Sequence, residues 1–221
     1  MRAVGLSTTA VATRSLRLLN ATEAGTFFAL LLLYIWYFQA RARPSWLVLL
    51  ALLIASQVVR GETPQSVGVR WQGFVQAARR YLPGVVLVAA ASVLVSMRLH
   101  TIRPVAPIHL VEVLVGYMWW ALAQQYLLNG FFTNRLSAAF DDRHQYLVAP
   151  MAGILFSAAH TPNAFLMEVT FVCGVLAALV YRQHRNLLFL ALAHAVIGTT
   201  LWLTVPDSIS HHLRVGPGML G

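Results

Sequence analysis

Three polar clusters interrupt otherwise apolar stretches of this 221-residue chain: the amide pair Gln124 and Gln125, then His160, then His194. A polar group in hydrocarbon is costly unless it is partnered, so such clusters mark functional sites by default. Two imidazoles from separate segments can share a proton or hold a metal, since neutral imidazole is a common ligand for zinc and haem iron. Two ligands alone make a weak zinc site, so no cofactor is expected, and a metal at His160 and His194 is only a minor alternative.

Each cluster also has a plainer reading. Gln125 and Asn129 stand four residues apart and can hydrogen-bond along one helix face. Amides of this kind commonly join helices inside membranes. A single histidine is more often a packed core residue than a ligand. His160 differs because it closes a short apolar run, 147–160, or ~21 Å of helix. Thr161-Pro162-Asn163 then breaks the run, since proline disfavours helical geometry before it, and Asn163 can cap the next helix. Backbone broken at membrane depth must be buried in protein or face a water-filled cavity.

The elements that position these groups follow from composition. Apolar residues make up 58% of the chain and charged residues 10%, leaving too little polar surface for a water-soluble domain. The expected fold is all-α: a polytopic transmembrane helical bundle of about seven spans, near 24–40, 45–60, 82–98, 107–136, 146–160, 164–181 and 187–204. Continuous rather than alternating apolar runs argue against a β-barrel. Residues 66–81 mix arginine with Trp71 and Phe74, as an interfacial helix would. The expected organisation is a basic N-terminal segment 1–23, N-terminal helices over 24–106, a core over 107–204 and a tail over 205–221.

All sixteen cations are arginine, and the net charge is +9. They are scattered between apolar runs, so membrane lipid headgroups are the expected partners and nucleic acid is not. With seven spans, eleven arginines fall on the side of the N-terminus and five on the other, giving a cytoplasmic N-terminus. The short chain and exclusive use of arginine point to a bacterial inner membrane. The lone Cys173 excludes an internal disulfide framework.

Phe156 and His160 four residues apart, His194 opening a later segment, and Gln124-Gln125 with Asn129 upstream together form an ordered pattern. It resembles the CAAX-protease and bacteriocin-processing (CPBP, or Abi) family of intramembrane proteases, whose motifs run Glu-Glu-x-x-x-Arg-Gly, Phe-x-x-x-His and His-x-x-x-Asn (or Asp). Phe171, Gly174, Tyr181 and Asn186-Leu187 are similar to the family's lead-in to the third motif. The likeness covers roughly 107–204.

The resemblance implies that His160, His194, Gln124 and Gln125 occupy catalytic positions, and that Asn129, Phe156, Asn163 and Gly198 border the substrate. The departures fall on the chemistry. Gln124 and Gln125 stand for the glutamate pair, Asn129 for the arginine, and Gly198 for the closing Asn or Asp. A carboxylate accepts a proton from water and a carboxamide does not. Loss of an oxyanion donor costs a further ~10²–10³ in rate. Glu112 is twelve residues before Gln124, ~18 Å along a helix, and too far to substitute. Glu168, just after the break, is a candidate substitute acid; equally, it is a carboxylate favoured near a helix start.

The expected function is therefore a degenerate CPBP-type membrane protein that binds or scaffolds a membrane-protein or peptide partner. An active endopeptidase with altered chemistry, cutting peptide or prenylated-type substrates, is the alternative.

Overall fold

The computed structural model describes residues 8–220, with side chains from Thr13 onward apart from Arg43. The expected basic segment is thus seen only from Thr8, and Arg2 lies outside the described residues. Every regular element among the described residues is helical.

Seven principal helices follow in order. Helix α1 (Thr8–Leu33) continues through a widened π-helical turn, Tyr34–Phe38, to Arg41. Then come α2 (Trp46–Val59), α3 (Phe74–Leu99) and α4 (Pro107–Gln125), the last extended by π-helical turns over Tyr126–Thr133 and by Asn134–Ala139. A 3₁₀ segment, Asp142–Leu147, leads into α5 (Val148–Ala158), followed by α6 (Ala164–His184) and α7 (Leu187–Thr204). Among the described residues four helical spans, Thr13–Arg41, Phe74–Leu99, Ala164–His184 and Leu187–Thr204, are long and apolar enough to cross a membrane. At 14 and 11 residues, α2 and α5 are shorter than the ~20 residues that span a bilayer.

Local chemistry sets the ends. Pro107 opens α4, where its missing N–H is no loss. Asn163 Oδ1 accepts from Leu166 N at 3.1 Å to cap α6, and Asn186 Oδ1 accepts from Phe189 N at 2.8 Å to cap α7. One expectation changes: residues 66–73 are turns, and 74–81 are the first turns of α3 rather than a separate interfacial helix. Gly73, at φ 81°, turns the chain into α3 in a conformation open to glycine, and the helix then runs through Pro83.

Packing concentrates where the polar clusters lie. Helix α5 packs along α6, and α7 sits against both α4 and α3. The α5–α6 approach depends on Gly153 and Gly174. A Cβ at Gly174 would come 3.0 Å from Gly153 Cα, and one at Gly153 would come 2.8 Å from Phe171 O. Small residues allow this backbone proximity, a usual device for packing helices in lipid. The outer faces of α1, α2 and α3 carry exposed Leu, Val and Trp side chains, as surfaces facing acyl chains should.

Candidate functional site

A single stripe of α4 carries Tyr117, Ala121, Gln125, Asn129 and Thr133, spaced four apart. Four residues overshoot an α-helical turn of about 3.6 residues, so the stripe would drift around a regular helix. The wider turns of 126–133 bring Asn129 and Thr133 back over Gln125. Thr133 Oγ1 donates to Asn129 Oδ1 at 3.0 Å, and Asn129 Nδ2 donates to Gln125 Oε1 at 2.7 Å. Gln125 Nε2 in turn donates to His194 Nδ1 at 3.1 Å, which joins α4 to α7. Asn129 and Thr133 are fully buried. The proton of a neutral His194 then sits on Nε2, 3.4 Å from the Tyr117 hydroxyl.

His160 arrives from the break after α5. Its Nδ1 lies 2.7 Å from the Phe156 carbonyl. A carbonyl oxygen only accepts, so Nδ1 carries the proton and the Nε2 lone pair is left open. The two imidazoles meet across Phe156, whose ring stands edge-on to His160 at 4.9 Å and to His194 at 5.8 Å. Gln124 faces a second direction, with Oε1 buried and lacking a hydrogen-bond partner.

The break is strapped from outside by the segment after α7. Gly216 N donates to Thr161 O at 2.8 Å, and Asn163 Nδ2 donates to Ser210 O at 2.9 Å and Arg214 O at 3.0 Å. Both amide hydrogens of Asn163 are therefore used, and its side chain is fully buried. It serves as helix cap and strap anchor, not as a surface that could meet a substrate. Arg103 pins the same segment through Asp207 and holds the last turn of α7 through the Trp202 carbonyl at 2.6 Å. The Arg103 hydrogen bond holds the Asp207 carboxyl below its usual range, and the same bond raises the guanidinium.

The structure thus brings Gln125, Asn129, Phe156, His160 and His194 together. It leaves Glu168 at an exposed position on α6, and no described hydrogen bond or ion pair joins it to either histidine. Among the described residues no carboxylate bonds His160, His194, Gln124 or Gln125, and no group of three or more His, Cys, Asp or Glu could hold a metal. Gly198 faces the Tyr117 ring. A groove of about 390 Å³ lies beside Gln57, Glu62 and Tyr126 and another beside Trp119 and Leu188, and neither is lined by the histidines.

Sequence reasoning missed two features. Tyr117 reads as one aromatic among several, although its place eight residues before Gln125 puts it on the polar stripe. The other is an ionic cluster nearer the end of the extended α4. Arg135, 3% exposed, pairs with Glu23 at 3.0 Å and with Glu62, while Arg60 bonds Glu23 and Asn20. Arg135 lies ten residues beyond Gln125, or ~15 Å along the helix, so these carboxylates serve the arginines rather than the histidines.

The family model for type II CAAX prenyl endopeptidases, Rce1-like, matches residues 107–200, from the start of α4 into α7. The match bears out the CPBP resemblance and covers every polar group of the stripe and both histidines. No curated protein and no solved structure gives a significant match. Residues 107–200 are thus similar to the core of that family, in a chain whose apolar helices are those of an integral membrane protein.

Proposed function

We propose, with the family match over 107–200 as premise, that this protein is a degenerate CPBP-type protein whose protease-like core binds or scaffolds a membrane partner instead of hydrolysing it. One observation carries the reading. The chain of hydrogen bonds from Thr133 through Asn129 and Gln125 ends on His194, with amides where water activation needs a carboxylate. A carboxamide neither takes a proton from water nor balances the charge of an imidazolium, so the network holds α4 to α7 without a base of the required strength. The arginine distribution supports a cytoplasmic N-terminus.

The open Nε2 of His160 favours a second reading, an endopeptidase in which His160 alone accepts the proton and Gln124 orients the water. Photo-crosslinking separates the two. A photoreactive residue at the partly exposed Thr161, in membranes of cells producing the protein, should capture a membrane protein or peptide that is recovered at full length. Recovery of a trimmed product, with the full-length form captured only when His160→Ala is added, would replace the binding reading with the catalytic one.

A further inference from the structure

We infer that Tyr117 is a positioning residue of this site, its phenol supplying from α4 the polar group that Gly198 cannot supply from α7. The geometry is one of mutual exclusion. A Cβ built on Gly198 collides with Tyr117 Cε1 and comes within 2.8 Å of Cζ and 2.9 Å of the hydroxyl. Any side chain at 198 and the tyrosine ring at 117 therefore compete for one volume, at separations that carbon atoms do not tolerate.

That volume lies beside His194. Residue 198 follows His194 by one helical turn, so a polar side chain there would rise along the same face of α7 toward the imidazole. Tyr117 reaches that place from the facing helix. Its hydroxyl is 3.4 Å from His194 Nε2, and its ring stands edge-on to the imidazole at 5.8 Å. His194 is thus held on three sides: Gln125 at Nδ1, Tyr117 at Nε2, and the Phe156 ring at 5.8 Å. Removing Tyr117 frees one ring nitrogen and opens the space opposite Gly198. The role holds whether or not the core cleaves peptide bonds.

The test separates the hydroxyl from the ring. Protein labelled with [¹⁵N]histidine, in lipid nanodiscs, is compared as wild type and Tyr117→Phe, with His194→Gln and His160→Gln assigning the imidazole signals. The expected result is a shift of the His194 ring nitrogens in Tyr117→Phe with those of His160 unmoved. Unchanged His194 signals would mean that the ring only fills space, and would overturn the inference. The volume is tested by melting temperature in the same nanodiscs. Gly198→Ala should lower it, and adding Tyr117→Ala should recover part of that loss relative to Tyr117→Ala alone. If Tyr117→Ala does not fold, Gly198→Ala in the wild-type background decides: no loss there would contradict the facing geometry.

Discussion

Gln125 donates to His194 across the gap between α4 and α7, at 3.1 Å, while accepting from Asn129 on its own helix at 2.7 Å. This one amide joins the first polar cluster of the sequence to the last. It also fixes what the pair can do, because its position relative to the imidazole suits a carboxylate and a carboxamide occupies it.

Replacing Gln125 by leucine should therefore loosen the bundle more than it changes any chemistry. Hydrogen bonds between membrane helices contribute about 0.6 kcal/mol on average and reach about 1.7 kcal/mol, and this side chain makes two bonds. A loss of about 1–2 kcal/mol is expected from denaturant titration in micelles. Asn129→Leu should be non-additive with it, since the two share a bond. Fully additive losses would show that the chain of amides does not act as a unit.

Arg135 makes a different case. It is buried between Glu23 and Glu62 and also faces the Phe131 ring at 4.9 Å. Arg135→Met leaves Glu23 to Arg60 and takes from Glu62 its ion-pair partner, and breaking a buried ion pair from one side costs about 3–5 kcal/mol. The triple variant Arg135→Met, Glu23→Gln, Glu62→Gln should recover much of that loss. Thermal unfolding in detergent compares the two, and equal losses would contradict a charge-pairing origin.

The strap over the break is expected to respond to acid. Arg103, through its hydrogen bond, holds the Asp207 carboxyl below the ordinary value of 3.8, and His212 adds attraction at 3.2 Å. A carboxyl lowered in the folded state contributes its stability above that ordinary value and loses it as pH falls through the lowered one. Limited proteolysis within 207–220 should thus be slow at neutral pH and quicken below about pH 4. In Asp207→Asn the digestion should already be fast at neutral pH, without that acid step. A step of unchanged size in the variant would assign the effect to another group.

Much of this architecture was legible in the chain. The apolar runs at 45–60 and 187–204 coincide with α2 and α7, and the break at His160-Thr161-Pro162-Asn163 lies where proline chemistry puts it. The Gln125–Asn129 bond follows from four-residue spacing alone. The run at 82–98 starts late because Arg79 and Arg80, with Trp71 and Phe74, read as part of an interfacial helix over 66–81, yet one helix begins at Phe74 and runs on through Pro83. Asn163 was legible as a cap, but its second bonds to Ser210 and Arg214 join residues 47 and 51 positions away, which no local pattern encodes. Tyr117 was hidden for the same reason, since its partners on α7 are 77 and more residues distant.

A core that binds without cutting leaves the termini of its membrane partners unchanged. The most direct measurement maps the N- and C-termini of membrane proteins by mass spectrometry in cells producing wild type or the His160→Ala, His194→Ala variant at equal abundance. The same set of termini is expected in both. An uncut precursor that accumulates only with the variant would contradict it, and would show that the two histidines still support proteolysis.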